Sequence, residues 1–115
     1  MATRKRKTKS KSQACVILTS AGDAATARRI AKGLLAARVA ACVNVVPGVE
    51  SHYRWKGKTE SAREILLIIK TTAAHAKAVE SKIKSLHTYE LPECVVIPIS
   101  GGSKNYLQWL FENVN

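Results

Sequence analysis

Residues 85–94 read SLHTYELPEC and hold His87, Tyr89, Glu90, Glu93 and Cys94 within ten positions. Imidazole, carboxylate and thiolate are all metal-ligand types, and imidazole is the commonest near neutral pH. A further thiol, Cys42, stands in the stretch AACVN. Its soft sulfur suits Cu(I) or zinc when a histidine assists. Cys42 and His87 are therefore the candidate metal ligands. Each also has a purely structural reading. A free cysteine is among the most buried residue types. A histidine at a helix end can bond the last carbonyls of that helix. Glu90 and Glu93, on either side of Pro92, also fit ordinary solvated or ion-paired carboxylates. His52 and His75 have no motif around them. The three cysteines, Cys15, Cys42 and Cys94, have no CxxC spacing. This argues against a disulfide framework or a closed structural zinc site, and it suits a reducing cytoplasm.

The elements that must position these groups follow from periodicity. ACVILT (14–19) is a short apolar run of strand type. Ser20 or Asp23 can then cap a helix. ATARRIAKGLLAARV places Ala27, Ile30, Ala31 and Leu34 on one face, with Arg28, Arg29, Lys32 and Gly33 opposite. Residues 40–55 alternate as a strand, interrupted by Pro47-Gly48, which predicts a bend or bulge. Lys56-Gly57-Lys58 reads as a hairpin turn, with the glycine supplying positive φ. The return strand, about 59–71, contains ILLII, which is apolar on both sides and so requires cover on both. Residues 73–87 are helical, with Ala76, Val79, Ile83 and Leu86 inward. SLHTYELPEC is then a joint: Leu86 closes the helix face, Pro92 sets the entry to CVVIPI, and Cys94 begins a core strand. Ser103 caps a last helix with Tyr106, Leu107, Leu110 and Val114 as its buried positions. The order β-α-β-β-α-β plus a C-terminal helix predicts an α+β, ferredoxin-like antiparallel sheet with two helices on one face.

The central hairpin is long for so short a chain. Arms of about 13–16 residues reach ~40–50 Å, whereas a compact domain of this size has a radius of gyration near ~13 Å. Val49, Tyr53 and Trp55 on its distal part are poor residues to leave in water. Pairing between subunits, and so an oligomer, is expected.

The formal net charge is +11 over 115 residues. Residues 1–13 hold Arg4, Lys5, Arg6, Lys7, Lys9 and Lys11 without an acid, and a disordered tail is expected there. Residues 14–115 read as one domain. The tail has no apolar run behind its charges, so it does not read as a secretory signal. It reads as a solubilising extension, a targeting segment or a patch for phosphates or anionic lipid. No apolar run approaches the ~20 residues that span a bilayer.

Taken together, AACVNVVPGVESHYRWKGK, EILLIIKT, LHTYELPE and YLQWL resemble the CutA family of divalent-cation-tolerance proteins, over about residues 14–112. The family pattern is AACVN-x-x-P, S-x-Y-x-W-x-G-K, L-I-I-K-T and H-P-Y-E-x-P-E. Here Thr88 replaces the proline of the joint, and Arg54 and Lys56 stand where an aromatic and an acid are common. The resemblance implies a cytoplasmic, ferredoxin-like homotrimer with hairpins paired between subunits. It also implies a link to tolerance of copper and other divalent metals. Cys42 and His87 match positions that the family keeps. Trp55, Lys58, Glu60, Lys70, Tyr89 and Glu90 match positions near subunit junctions. There they would line a ligand pocket or form an interface network.

Three function classes compete. The first is a metal-tolerance trimer that binds copper or another divalent metal. The second is a PII-like trimeric signalling module that takes a small ligand at subunit clefts without a physiological metal. The third is an RNA-binding module, since the element order is also that of the RRM. That third class needs exposed aromatics on the first and third strands, and ACVILT and EILLIIKT have none. No sequence-specific nucleic-acid partner is therefore expected. No Gly-rich phosphate loop, HExxH or nucleophile elbow occurs, and a non-enzymatic role is expected.

Overall fold

A computed structural model describes residues 13–114. The expected disordered tail, residues 1–13, lies outside the described residues except for Gln13. The chain runs β1 (Ala14–Ala21), α1 (Ala24–Ala36), β2 (Cys42–Trp55), β3 (Lys58–Thr72), a 3-10 turn (Ala73–His75), α2 (Ala76–Leu86), β4 (Val95–Pro98) and α3 (Lys104–Glu112). The strands form one antiparallel sheet in the order β2-β3-β1-β4. This is the ferredoxin-like arrangement that the element order predicts.

Asp23 begins α1 by accepting a hydrogen bond from the Thr26 backbone N–H at 2.7 Å, which satisfies one of the unpaired donors of the first turn. The apolar spacing then lays Ala27, Ile30 and Leu34 on the sheet. Val79 and Ile83 of α2 do the same. They meet Ile17 of β1 and Leu67 and Ile69 of β3 in one core cluster. Burying each large aliphatic side chain contributes roughly 1.5–3 kcal/mol. The two helices meet where a Cβ on Gly33 would lie 2.7 Å from Leu86 Cδ1. Gly33 therefore faces α2, not the solvent side expected from its place beside Lys32. The reason is close helix contact, which no single-helix periodicity reports.

Three further expectations are corrected. The strand after the joint begins at Val95 rather than Cys94 and forms the sheet edge, with Val95, Val96 and Ile97 almost half exposed. Among the described residues it pairs with β1 alone, so its apolar run is not core there. In α3, Leu110 is buried, but Tyr106 is exposed. Finally, ILLII is covered on one side only. Leu67 and Ile69 are fully buried under the helices, whereas Leu66 and Ile68 are half-buried on the opposite face. α3 reaches that face at one end, where Lys70 Nζ lies 5.6 Å from the Tyr106 ring centroid.

The hairpin carries its bulge between Val46 and Val49, as Pro47-Gly48 predicts. It turns at Lys56 (φ 50°) and Gly57 (φ 81°), with Trp55 opposite Lys58. Both turn residues are left-handed, the geometry that matches strand twist in a two-residue loop. The molecule is elongated, 54 × 28 × 26 Å, with a radius of gyration of 15.6 Å.

Replacing Ile83 with alanine leaves a cavity under the sheet and lowers stability by about 2–5 kcal/mol. Leu91→Ala, at a residue 71% exposed, changes it by less than about 0.5 kcal/mol. Urea unfolding at one fixed protein concentration reads both. Equal midpoints for the two variants would contradict this core.

Candidate functional site

The joint after α2 is tied to the end of β1. The His87 ring shares a hydrogen bond of 2.6 Å, through Nε2, with the Ser20 carbonyl. The Tyr89 backbone N–H donates to His87 Nδ1 at 3.1 Å. A carbonyl can only accept, so Nε2 carries the proton and Nδ1 is the acceptor. Both ring nitrogens are thus engaged, and the ring stacks at 4.5 Å, tilted, on Tyr89. Through these contacts the helix end fixes where the phenol points.

The phenol meets a carboxylate. Tyr89 Oη donates to Glu64 Oε2 at 2.6 Å, and Ser20 Oγ reaches the same oxygen at 3.4 Å. Burial acts to raise the Glu64 carboxyl. Hydrogen bonds from Ser51, Tyr89 and Ser20, with the nearby His87, outweigh it and hold the group below the usual carboxylate range. Tyr89 moves the other way. Burial first, then the Glu64 hydrogen bond and charge, push its phenol well above the ordinary value. Glu93 is exposed as a residue, but burial around its carboxyl and then the Glu64 charge raise it above the usual range.

These groups line a cleft of about 590 Å³ with Ser51, His52, Tyr53, Trp55, Glu90 and Leu91. Among the described residues that line it, three are carboxylates and none is Lys or Arg. Tyr53 and Trp55 alternate along one face of β2 and, with their register partners Glu60 and Lys58, share the Glu64 face of the hairpin. The cleft therefore lies between a joint and a strand pair that are far apart in sequence.

Of the expected pocket residues, the fold brings Trp55, Tyr89 and Glu90 together. Lys58 sits at the hairpin tip, opposite Trp55. Lys70 is ten residues further along β3 than Glu60, about 33 Å at the usual rise, and it lies beside Cys42. Lys70 contacts Tyr106. Cys42 is half-buried, with Sγ 3.9 Å from Asn44 Oδ1. It lies level with Val16 across β3, whereas His87 bonds Ser20. Two strand spacings and four residues of offset separate them, about 10 Å across and about 13 Å along. One chain does not bring Cys42 and His87 to a common ion. Among the described residues, no group of three or more His, Cys, Asp or Glu side chains is arranged to hold a metal.

Sequence reasoning missed Glu64, Ser20 and Ser51. Glu64 had one local signal: it stands at alternate spacing with Leu66 and Ile68 on an apolar strand face. Its partners lie 25 and 44 residues away, and only the fold assembles them.

The fold defines the class: a ferredoxin-like α+β domain with an extended central hairpin. The family is narrower. A family model for the CutA1 divalent ion tolerance protein matches residues 15–113, and this chain belongs to that family. The divalent-cation tolerance protein CutA of Thermus thermophilus is 45% identical over 98 residues, covering 85% of this chain and 95% of that relative. Its counterpart in Pectobacterium atrosepticum is 45% identical over 97 residues, covering 84% and 88%. The solved CutA1 structure from Oryza sativa matches with a TM-score of 0.87 at 37% identity, covering 90% of this chain and 94% of its own. The one from Archaeoglobus fulgidus, described as periplasmic, matches with a TM-score of 0.85 at 38% identity, covering 89% and 99%. Among the described residues no helix is long and apolar enough to cross a membrane.

Because the phenol is raised, the folded state resists its ionisation. The stability from the Tyr89–Glu64 bond is full below the unfolded phenol value of about 10 and fades as pH rises above it. Glu64, held low, contributes above about 4.3, and this is lost as pH falls below that value. An ultraviolet absorbance titration is expected to show a phenol phase above the ordinary range that disappears in Tyr89→Phe. An unchanged titration in that variant would assign the late phase elsewhere.

Proposed function

We propose that this chain is a cytoplasmic, non-enzymatic homotrimer of divalent-cation tolerance that binds copper or another divalent metal in the cleft between the joint and the hairpin. The supporting observation is the lining itself. In a chain of net charge +11, the cleft carries Glu64, Glu90 and Glu93 with His52 and no Lys or Arg. Glu93 is raised in part by the charge of Glu64, so a cation placed there would relieve their repulsion. Carboxylate oxygen and imidazole suit borderline divalent ions. No three of these side chains converge within one chain, so the metal would contact at most two of them, with the rest of its shell completed by water or by a second copy.

Self-association is supported by what one chain leaves open. Val16, Leu18, Leu66 and Ile68 form a half-buried apolar face. Val46, Val95 and Ile97 share that side of the sheet by register and are exposed. A contiguous patch of this kind marks an interface. His87 enters this reading as a positioning residue for Tyr89. Cys42 remains a thiol donor for Cu(I) on the open face, beside Lys70. The three cysteines are free, as a reducing cytoplasm would keep them.

The second reading, a PII-like module with an organic ligand, draws on the aromatic share of the lining, Tyr53, Trp55 and Tyr89.

Light scattering of the full chain is expected to give three times the chain mass at micromolar concentration, and a monomer mass would refute the trimer. Calorimetric titration with Cu(II) and Zn(II) is expected to show binding that weakens as pH falls toward the ordinary carboxylate range, since Glu93, raised by burial and then by the Glu64 charge, takes its proton above that range. Glu64→Gln with Glu93→Gln should weaken it at least about tenfold, equivalent to ~1.4 kcal/mol. Cys42→Ala should alter Cu(I) binding alone. Loss of Cu(II) binding in Cys42→Ala, with the double glutamine variant unaffected, would move the site from the cleft to the Cys42–Lys70 end of the sheet.

A further inference from the structure

The positive charge of the fold is concentrated on one layer. Residues 14–115 hold 13 basic and 8 acidic residues. The sheet, hairpin, joint and α3 share six basic residues and six acids, so they are balanced. α1, α2 and the turn after α1 carry seven basic residues, Arg28, Arg29, Lys32, Arg38, Lys77, Lys82 and Lys84, against Asp23 and Glu80. Both acids are already engaged. Asp23 caps α1 through the Thr26 N–H, and Glu80 pairs with Lys84 at 3.4 Å. Among the described residues, Arg28, Lys32, Arg38, Lys77 and Lys82 have no ion-pair partner.

Helix geometry orders these cations. Arg28 and Lys32 are neighbours at i and i+4 on the side of α1 away from the sheet, about 6 Å apart. Lys77 and Lys84, at i and i+7, lie on the outward side of α2, about 10.5 Å apart along its axis. Lys82 bridges the two rows: its Cε lies 3.8 Å from where a Cβ of Gly33 would stand. The small residue at the seam brings the rows together. The Gln13 carbonyl accepts from the Ala73 N–H at 2.8 Å, at the entry to α2. Gln13, the first described residue, thus lies at the end of the layer that carries Lys77.

The partner is decided by what surrounds the charges. Between them the outward positions are small: Ala25, Ala36, Ser81 and Ser85. Leu35 is the sole large apolar residue exposed on α1 and α2. An interfacial membrane helix needs an apolar face with bulky residues to bury, and a protein interface needs aromatic anchors. Neither is present on this layer. Regularly spaced cations among small side chains suit a repeated phosphate, contacted at the backbone without reading bases. We propose that the α1–α2 layer is a sequence-independent binding face for the phosphodiester backbone of nucleic acid.

The test uses fluorescence anisotropy of the full chain with a labelled mixed-sequence DNA duplex and a single-stranded RNA, between about 50 and 200 mM salt. The two probes separate DNA from RNA as the source of the phosphates. Wild type is expected to bind at least one of them with a dissociation constant of roughly 10⁻⁴–10⁻⁶ M and a steep salt dependence. Arg28→Glu, Lys32→Glu and Lys82→Glu together should weaken binding at least about tenfold and lower the log–log salt slope by about 3, near 0.9 for each lost phosphate contact. Arg28→Lys with Arg29→Lys should bind as wild type. If the charge-reversed chain loses its helical circular dichroism, the glutamine versions of the same three positions replace it. A full-length variant with the six tail residues changed to serine should retain binding, with a smaller slope. The proposal is overturned if wild type binds neither probe. It is equally overturned if the layer variants bind as wild type, or if phosphatidylserine-containing vesicles are bound and nucleic acid is not.

Discussion

β1 and β3 are apolar on both faces, but one chain supplies helices for only one of them. That mismatch governs much of the molecule. On the covered side, Ile17, Leu67 and Ile69 meet Ile30, Leu34, Val79 and Ile83, and this cluster fixes both helices. On the other side, Leu18, Leu66 and Ile68 are half-covered, with α3 reaching only the end near Lys70. A sheet left this way favours association over solvation, because apolar area removed from water is stabilising at roughly 25 cal/mol per Å². The same one-sidedness leaves the helical layer free to carry charge, since none of the described elements packs on its outer surface.

The cleft follows from how the covered side ends. α2 must return the chain to β4, across the end of β1, and the joint that does this is held by the His87–Ser20 bond. Once that bond sets the joint, Tyr89 is brought against Glu64. The polarity of the site then develops by mutual influence. Donors hold Glu64 low, while burial first and the Glu64 charge after it raise both Tyr89 and Glu93. His87 is thus used within the protein, through both ring nitrogens, where residue type alone suggested a ligand. The joint is structural first, and its chemistry is exercised on the neighbouring carboxylates.

The long hairpin illustrates how local rules survive into the fold. Pro47-Gly48 disrupts the ladder where a proline cannot donate. Lys56-Gly57 turns with both residues left-handed, a conformation that costs lysine about 1–2 kcal/mol and glycine almost nothing. Beyond the bulge the arms extend past the helices, which is why the molecule is nearly twice as long as it is wide. Tyr53 and Trp55 are carried there on one face, within reach of the joint and of any neighbouring copy.

Much was legible before any coordinates. Apolar runs, alternation and the 3.6 period located the four strands and three helices of the described residues, because burial against a sheet or a helix imposes its own pattern. The bulge and the turn were legible because Pro and Gly restrict or free φ locally. Matching motifs spread along the chain identified the family. Local patterns could not report which faces remain uncovered, since that depends on what packs across space. Hence β4 became an exposed edge, Tyr106 lay outside the core, and Gly33 faced a second helix. The site divided in the same way. His87, Tyr89 and Glu90 stood out because they crowd one short stretch, whereas Glu64 and Ser20 acquired their role only from contacts 25 and 44 residues distant. Sequence determined which residues could be buried, turned or charged. Tertiary structure decided which of them met, because a hydrogen bond or a shifted pKa depends on distances that chain order does not contain.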